Sequence, residues 1–176
     1  MLDRWSLVIR LVFLPSLSLL GGSSTSHELW SLLSLYPLSA RYGFYGAWKL
    51  SYANSLQLKV QGAIAERDTK AVLRRVSKDD VKLHARALGK LSHSDPTIVW
   101  GVVLRQIQSY DNLVKPVVES ARFITPLGAD VLVFVLLDAF SNPDKDRTKT
   151  DGTSVSLWLK SESPGPRPQQ HPLSIR

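Results

Sequence analysis

Cysteine is absent from all 176 residues, which excludes disulfides and thiolate-held metal sites and suits a reducing compartment. Histidine is scarce as well. His27, His84, His93 and His171 are scattered, and none has a partner at metal-ligand spacing, whereas zinc needs three or four convergent N, O or S donors. A phosphate-cradling glycine loop is missing too, because Gly43 and Gly46 lie among aromatics without the Lys-Ser/Thr pair that such a loop requires. No apolar run reaches the roughly 20 residues that would span a bilayer. Residues 7–20, followed by Gly21, Gly22 and Ser23, come nearest and superficially look like a secretory core. Arg10 in the middle of that run and Pro15 near its end argue instead for a short buried helix, bent or ended near the proline. Between Asp130 and Asp138 lie seven apolar residues, which is fewer still. No membrane partner and no cofactor follow from any of these segments.

What remains has an ordinary globular composition, with 44% hydrophobic and 21% charged residues. The net charge of +7 suits an acidic partner, RNA among them, without specifying one. Helical signals recur from end to end. Thr25-Ser26-His27-Glu28 reads as a capping box opening a helix that carries Leu29, Trp30, Leu32, Leu33 and Tyr36 and stops at Pro37. Ser39 offers the next N-cap, ahead of Tyr42, Phe44, Tyr45 and Trp48, which read as core. Over residues 56–76 the periodicity is clearest. Leu58, Ala65, Thr69, Val72 and Val76 share one helical face, with Arg67, Lys70, Arg74 and Lys78 opposite. Ser77 and Asp80 can cap a short helix ending near Leu88 or Leu91.

Asp95-Pro96 is a strong helix start, with the acid as cap and proline at the first helical position. Ile98, Val99, Val102, Val103 and Ile107 follow at helical spacing, and Trp100 and Leu104 widen the apolar arc. Over 113–125, Leu113, Val117, Ala121 and Ile124 are expected inward, and Lys115, Glu119 and Arg122 outward. The valine-rich stretch 129–140 resembles a strand locally, but with helical neighbours and no partner strand it is expected to be a central helix. Asn142-Pro143 ends it, residues 144–152 read as a charged loop, and 154–160 as a further helix. The segment 163–176, with Pro164, Pro166, Pro168 and Pro172, reads as a disordered tail. The expected fold is therefore all-α: antiparallel helix pairs in an irregular, solenoid-like stack of the HEAT/armadillo kind over residues 1–160, then a Pro-rich tail over 161–176.

Catalytic groupings do not hold together. Ser92, His93 and Asp95 are too close in sequence to adopt triad geometry, and Ser94 and Asp95 read as helix caps. Asp79 and Asp80 would point about 100° apart on a helix and read as first-turn carboxylates. The surface feature with functional promise is basic: Arg67, Lys70, Arg74, Arg75, Lys78, Lys82, Arg86 and Lys90 face only Asp68, Asp79 and Asp80 in the window 67–90, a net of +5. Such a stripe can track a phosphate backbone, or it can be a solvated helix face. It carries no interleaved aromatics of the kind that stack single strands.

Two stretches carry a resemblance. Leu88-Gly89-Lys90-Leu91-Ser92-His93-Ser94-Asp95-Pro96-Thr97-Ile98, with Arg105-Gln106-Ile107-Gln108-Ser109-Tyr110-Asp111-Asn112-Leu113, is similar to the family of large THO-complex scaffold subunits. Pro116-Val117-Val118-Glu119-Ser120 and Asn142-Pro143-Asp144-Lys145 extend it downstream. Upstream, Phe13-Leu14-Pro15-Ser16-Leu17-Ser18 and Arg41-Tyr42-Gly43-Phe44-Tyr45-Gly46-Ala47-Trp48-Lys49 keep the same order. The resemblance implies a nuclear, all-helical, non-catalytic scaffold. Such a scaffold holds the other THO subunits and helps bring an RNA helicase and export adaptors to nascent mRNA. Family members run far beyond this span on both sides, and after Trp158-Leu159 the familiar helix gives way to Ser161-Glu162-Ser163-Pro164. A fragment or truncated form is the expectation.

Overall fold

A computed structural model describes residues 2–77 and 80–141. Pro15 sets the first element. Its missing N–H and its ring would disturb the preceding turn, and the chain widens into a π-helical segment, Ile9–Phe13, between α1 (Leu2–Val8) and α2 (Leu14–Leu20). The Leu14 N–H reaches back to the Ile9 carbonyl, which closes the wide turn. Only one stripe of this bent rod is buried, through Ile9, Leu14 and Leu17. Trp5, Leu11 and Leu20 are 61%, 64% and 90% exposed, so the rod lies on the surface and is not the buried helix its composition suggests.

Helices α3 (Ser23–Leu33), α4 (Leu38–Asn54), α5 (Leu56–Arg74), α6 (Val81–Leu91) and α7 (Pro96–Ile107) follow. The next helix, α8 (Val114–Ser120), is flanked by 3-10 turns at Asp111–Leu113 and Ala121–Phe123, and α9 (Pro126–Ser141) closes the described chain. Among the described residues there is no strand. Short links make neighbours pack as pairs: Ser55 alone joins α4 to α5, and α4, α5, α7 and α9 each pack on the next in an irregular, solenoid-like stack. The same α9 also covers α3 and α4, and α6 lies against α8.

The centre of the stack is α7, whose Val99, Trp100, Val102, Val103, Leu104 and Ile107 are all buried. The valine-rich α9 is a helix as expected, but an outer one. It buries Leu127, Val131 and Val135 and leaves Val133 and Leu137 about half exposed. Phe44, Tyr45 and Trp48 belong to the core, and Leu58, Ala65, Thr69 and Leu73 form the inner face of α5. The loop, helix and Pro-rich tail expected over 144–152, 154–160 and 163–176 lie outside the described residues.

Local capping rules fared worse than periodicity. Helix α3 starts at Ser23, two residues before the expected box, and Gly22 caps it. Thr25 therefore lies inside the helix and not at its N-cap, and its neighbour Ser26 is engaged by Thr125 Oγ1 at 2.7 Å, 99 residues away. Pro37, not Ser39, precedes α4. Asp80 stands at the N-cap of α6 without a side-chain capping bond. The expected helix over 113–125 breaks into a 3-10 turn at Ala121, which is exposed rather than inward.

Close packing of α6 against the Ala121–Phe123 turn depends on Gly89. A Cβ there would stand 2.6 Å from Phe123 Cβ and 2.9 Å from its carbonyl oxygen. Gly→Ala in a helix interior ordinarily gains roughly 0.5–1 kcal/mol. At this position the backbone clash should reverse the sign, for a net loss of about 1–2 kcal/mol. Urea unfolding of Gly89→Ala followed by circular dichroism measures it.

Candidate partner and nucleic-acid surface

The groups that could have made a reactive centre serve the packing instead. Ser92 Oγ donates to the Gly89 carbonyl at 2.7 Å, His93 Nε2 meets the Phe123 carbonyl at 3.0 Å, and Ser94 Oγ donates to the Gly21 carbonyl at 2.8 Å. Asp95 does begin α7, yet it makes no side-chain cap. Its buried carboxylate accepts from Tyr52 OH at 2.8 Å and from Gln61 Nε2 at 3.4 Å. Trp48 Nε1–H can only donate and does so to Ser18 Oγ at 3.1 Å, and Ser18 Oγ lies 2.7 Å from Tyr52 OH. With Tyr52 donating to Asp95, the Ser18 hydroxyl can donate to Tyr52 OH or, at 3.4 Å, to the Ser94 carbonyl. In the first arrangement the donors of Trp48, Ser18 and Tyr52 run in one direction, toward the Asp95 carboxylate. These residues come from α2, α4, α5 and the link before α7, so the network clamps separate elements together. The Asp95 carboxyl is pushed above the usual carboxylate range by burial, against the opposing pull of its hydrogen bonds.

The described basic residues are spread over α5, its C-terminal end and α6. On α5, Arg67 pairs with its neighbour Asp68 at 2.9 Å, and Lys70 pairs with Glu66 at 2.7 Å. Glu66 lies one residue outside the charge window counted from Arg67, and it lowers the effective charge of this face. Arg74 and Arg75 are exposed and have no carboxylate partner among the described residues. Lys78 lies outside the described residues. Three separate grooves take up much of what remains. Lys70 and Arg74 line the first, with Gln106, Tyr110 and Asn112 from the far end of α7 and the turn beyond it. Lys82 lines the second between α6 and α8, beside Lys115, Glu119 and Arg122. Arg86 and Lys90 line the third, with Gly21, His93 and Phe123. The Arg86 guanidinium lies 5.4 Å from the centre of the Phe123 ring.

Sequence reasoning missed Tyr110, a residue 55% exposed that lines the same groove as Lys70 and Arg74. The one available signal was an aromatic in a helix-terminating loop, more than thirty positions from the cations it joins.

Comparison with known proteins gives two adjoining matches. A family described as "THO complex subunit 2 N-terminus" matches residues 1–86, and one described as "Transcription- and export-related complex subunit" matches residues 88–163. THO complex subunit 2 of Homo sapiens is 44% identical over 153 residues, covering 85% of this chain and 10% of that protein. The chain belongs to the THO complex subunit 2 family. THO complex subunit 2 of Arabidopsis thaliana is 34% identical over 149 residues, 84% of this chain and 8% of that protein. That of Saccharomyces cerevisiae is 27% identical over 161 residues, 90% of this chain and 10% of that protein. The chain thus spans about a tenth of the length of these THO complex subunit 2 relatives. No described helix is long and apolar enough to cross a membrane.

Proposed function

We propose that this chain is a non-catalytic scaffold segment of the THO complex in the nucleus, where it helps assemble messenger ribonucleoprotein and couple transcription to mRNA export. The observation that carries this reading is the pair of adjoining family matches over residues 1–86 and 88–163. The geometry supports it. Helices stacked side by side present long outer faces to partners, while the polar groups of the interior serve as clamps between helices. Its partners are the other THO subunits, together with the RNA helicase and export adaptors that the assembly brings to mRNA. Affinity purification of the tagged chain from nuclear extract is expected to recover other THO subunits. An eluate free of them would sink the proposal.

A second reading gives the chain direct, sequence-tolerant contact with RNA through Arg67, Lys70, Arg74, Arg75, Lys78, Lys82, Arg86 and Lys90. It is favoured by the exposure of Arg74, Arg75, Lys82 and Lys90, none of which has a carboxylate partner among the described residues. Exposed cations of this kind bind phosphates in a salt-dependent way.

A further inference from the structure

We infer that the groove between the C-terminal ends of α5 and α7 binds single-stranded nucleic acid, stacking one base on Tyr110 and holding the adjoining phosphate at Arg74. The inference rests on the RNA reading of the basic surface and narrows it to one base-accepting position. A phosphate-tracking surface needs only cations, and this groove holds more. Tyr110 offers an exposed ring, and its backbone is fixed at both ends. Its N–H donates to the Gln106 carbonyl at 3.0 Å, and its carbonyl accepts from the Leu113 N–H at 3.1 Å. With its backbone held this way, the residue loses less freedom when a base stacks on its ring. Gln106 and Asn112 flank it with side-chain amides, which carry both the donors and the acceptors that a base edge presents. Buried Leu73 and Leu113 form the floor. Arg74 supplies the cation, and Lys70 stands beside it, held by Glu66 at 2.7 Å. Glu66 also lies 3.9 Å from Arg105, with which it lines a neighbouring groove.

This arrangement separates two kinds of binding energy. Stacking on Tyr110 should be insensitive to salt, whereas the Arg74 contact should release a counterion. The test is fluorescence anisotropy of the full chain with a labelled single-stranded RNA 12-mer, titrated at several salt concentrations. Tyr110→Ala is expected to weaken binding about tenfold, the scale of one stacked base, with the salt slope unchanged and with Tyr110→Phe restoring affinity. Arg74→Ser is expected to weaken binding and to reduce the slope by about 0.7. Glu66→Gln, by freeing Lys70, is expected to tighten it. A 12-mer of abasic sugar-phosphate should bind more weakly and show no dependence on Tyr110. Equal affinity for wild type and Tyr110→Ala, with losses only on Ser replacement of Lys82, Arg86 and Lys90, would overturn the groove and leave the wider RNA surface standing. No binding even at low salt would overturn both. Tyr110 is more than half exposed, so its replacement leaves the packing intact.

Discussion

Replacing Asp130 by alanine is expected to cost the fold about 3–5 kcal/mol, a large share of the roughly 5–15 kcal/mol that holds a domain folded. Asp130 sits on α9 with its side chain only 13% exposed, and it is the common acceptor for two residues of α4. Arg41 Nε donates to Oδ2 at 2.9 Å and Nη2 to Oδ1 at 3.3 Å, and Tyr45 OH adds a third bond to Oδ2 at 2.7 Å. The remaining arm of the guanidinium donates to the Tyr36 carbonyl at 2.9 Å, and its carbon lies 5.5 Å from the centre of the Trp30 ring. Arg41 thus ties α3, α4 and α9 into one unit. Alanine at 130 would strand a cation whose side chain is only 16% exposed together with a fully buried phenol, and the phenol could not reach water without unpacking the helices. The size of the loss comes from these orphaned partners and not from the net value of the ion pair. Replacing all three polar members together, as Arg41→Met, Tyr45→Phe and Asp130→Leu, should therefore recover most of the stability. Urea midpoints by circular dichroism decide it. A triple variant as unstable as Asp130→Ala would contradict the account.

Asp95→Ala is expected to cost about 2–3 kcal/mol, because it leaves the buried Tyr52 hydroxyl and the Gln61 amide without their acceptor. Asp95→Asn should behave differently. Its amide oxygen still accepts from Tyr52, Gln61 can turn its own amide to match, and no charge remains buried. The pH dependence separates the two states of Asp95. Burial raises its carboxyl above the ordinary value, so between the unfolded pKa near 4 and the raised folded value the native chain binds the proton more tightly than the unfolded chain. Stability contributed by this group is then highest at or below about pH 4, falls as pH rises through that window, and is level above it. Relative to wild type, Asp95→Asn should accordingly gain stability as pH rises from 4 toward neutrality. A constant difference between the two proteins across that range would rule out this description of the site.

How much of this was legible in the sequence depends on how far each signal had to reach. Helix α5 was readable because Leu58, Ala65 and Thr69 repeat at helical spacing, and burial then follows from geometry alone. The start of α7 was readable from Asp95-Pro96, since proline fixes the first turn. That α9 is helical could be inferred despite its valines, because no partner strand was available to make a sheet. Its outer position could not be inferred, since that depends on which neighbours reach it. The capping box at Thr25 failed because the helix starts earlier, at Ser23, which places Thr25 inside it. Ser26 meanwhile reaches Thr125, 99 residues downstream, a contact no local rule contains. Asp95 looked like a cap and proved to be a buried acceptor for residues 34 and 43 positions away. The basic window was legible as a charge count on two helices, α5 ending at Arg74 and α6 beginning at Val81. Which groove each cation lines is set by the packing of those helices on α7 and α8. Tyr110 entered the site only through folding.

If this chain holds other THO subunits, as we propose, cross-linking mass spectrometry on the complex purified through the tagged chain should catch it doing so. Exposed Lys82, Lys90 and Lys115 supply reactive amines on two packed helices. The account predicts reproducible links from these lysines to at least one other THO subunit. Links confined to the chain itself, in material where the other subunits are assembled and linked to one another, would contradict it.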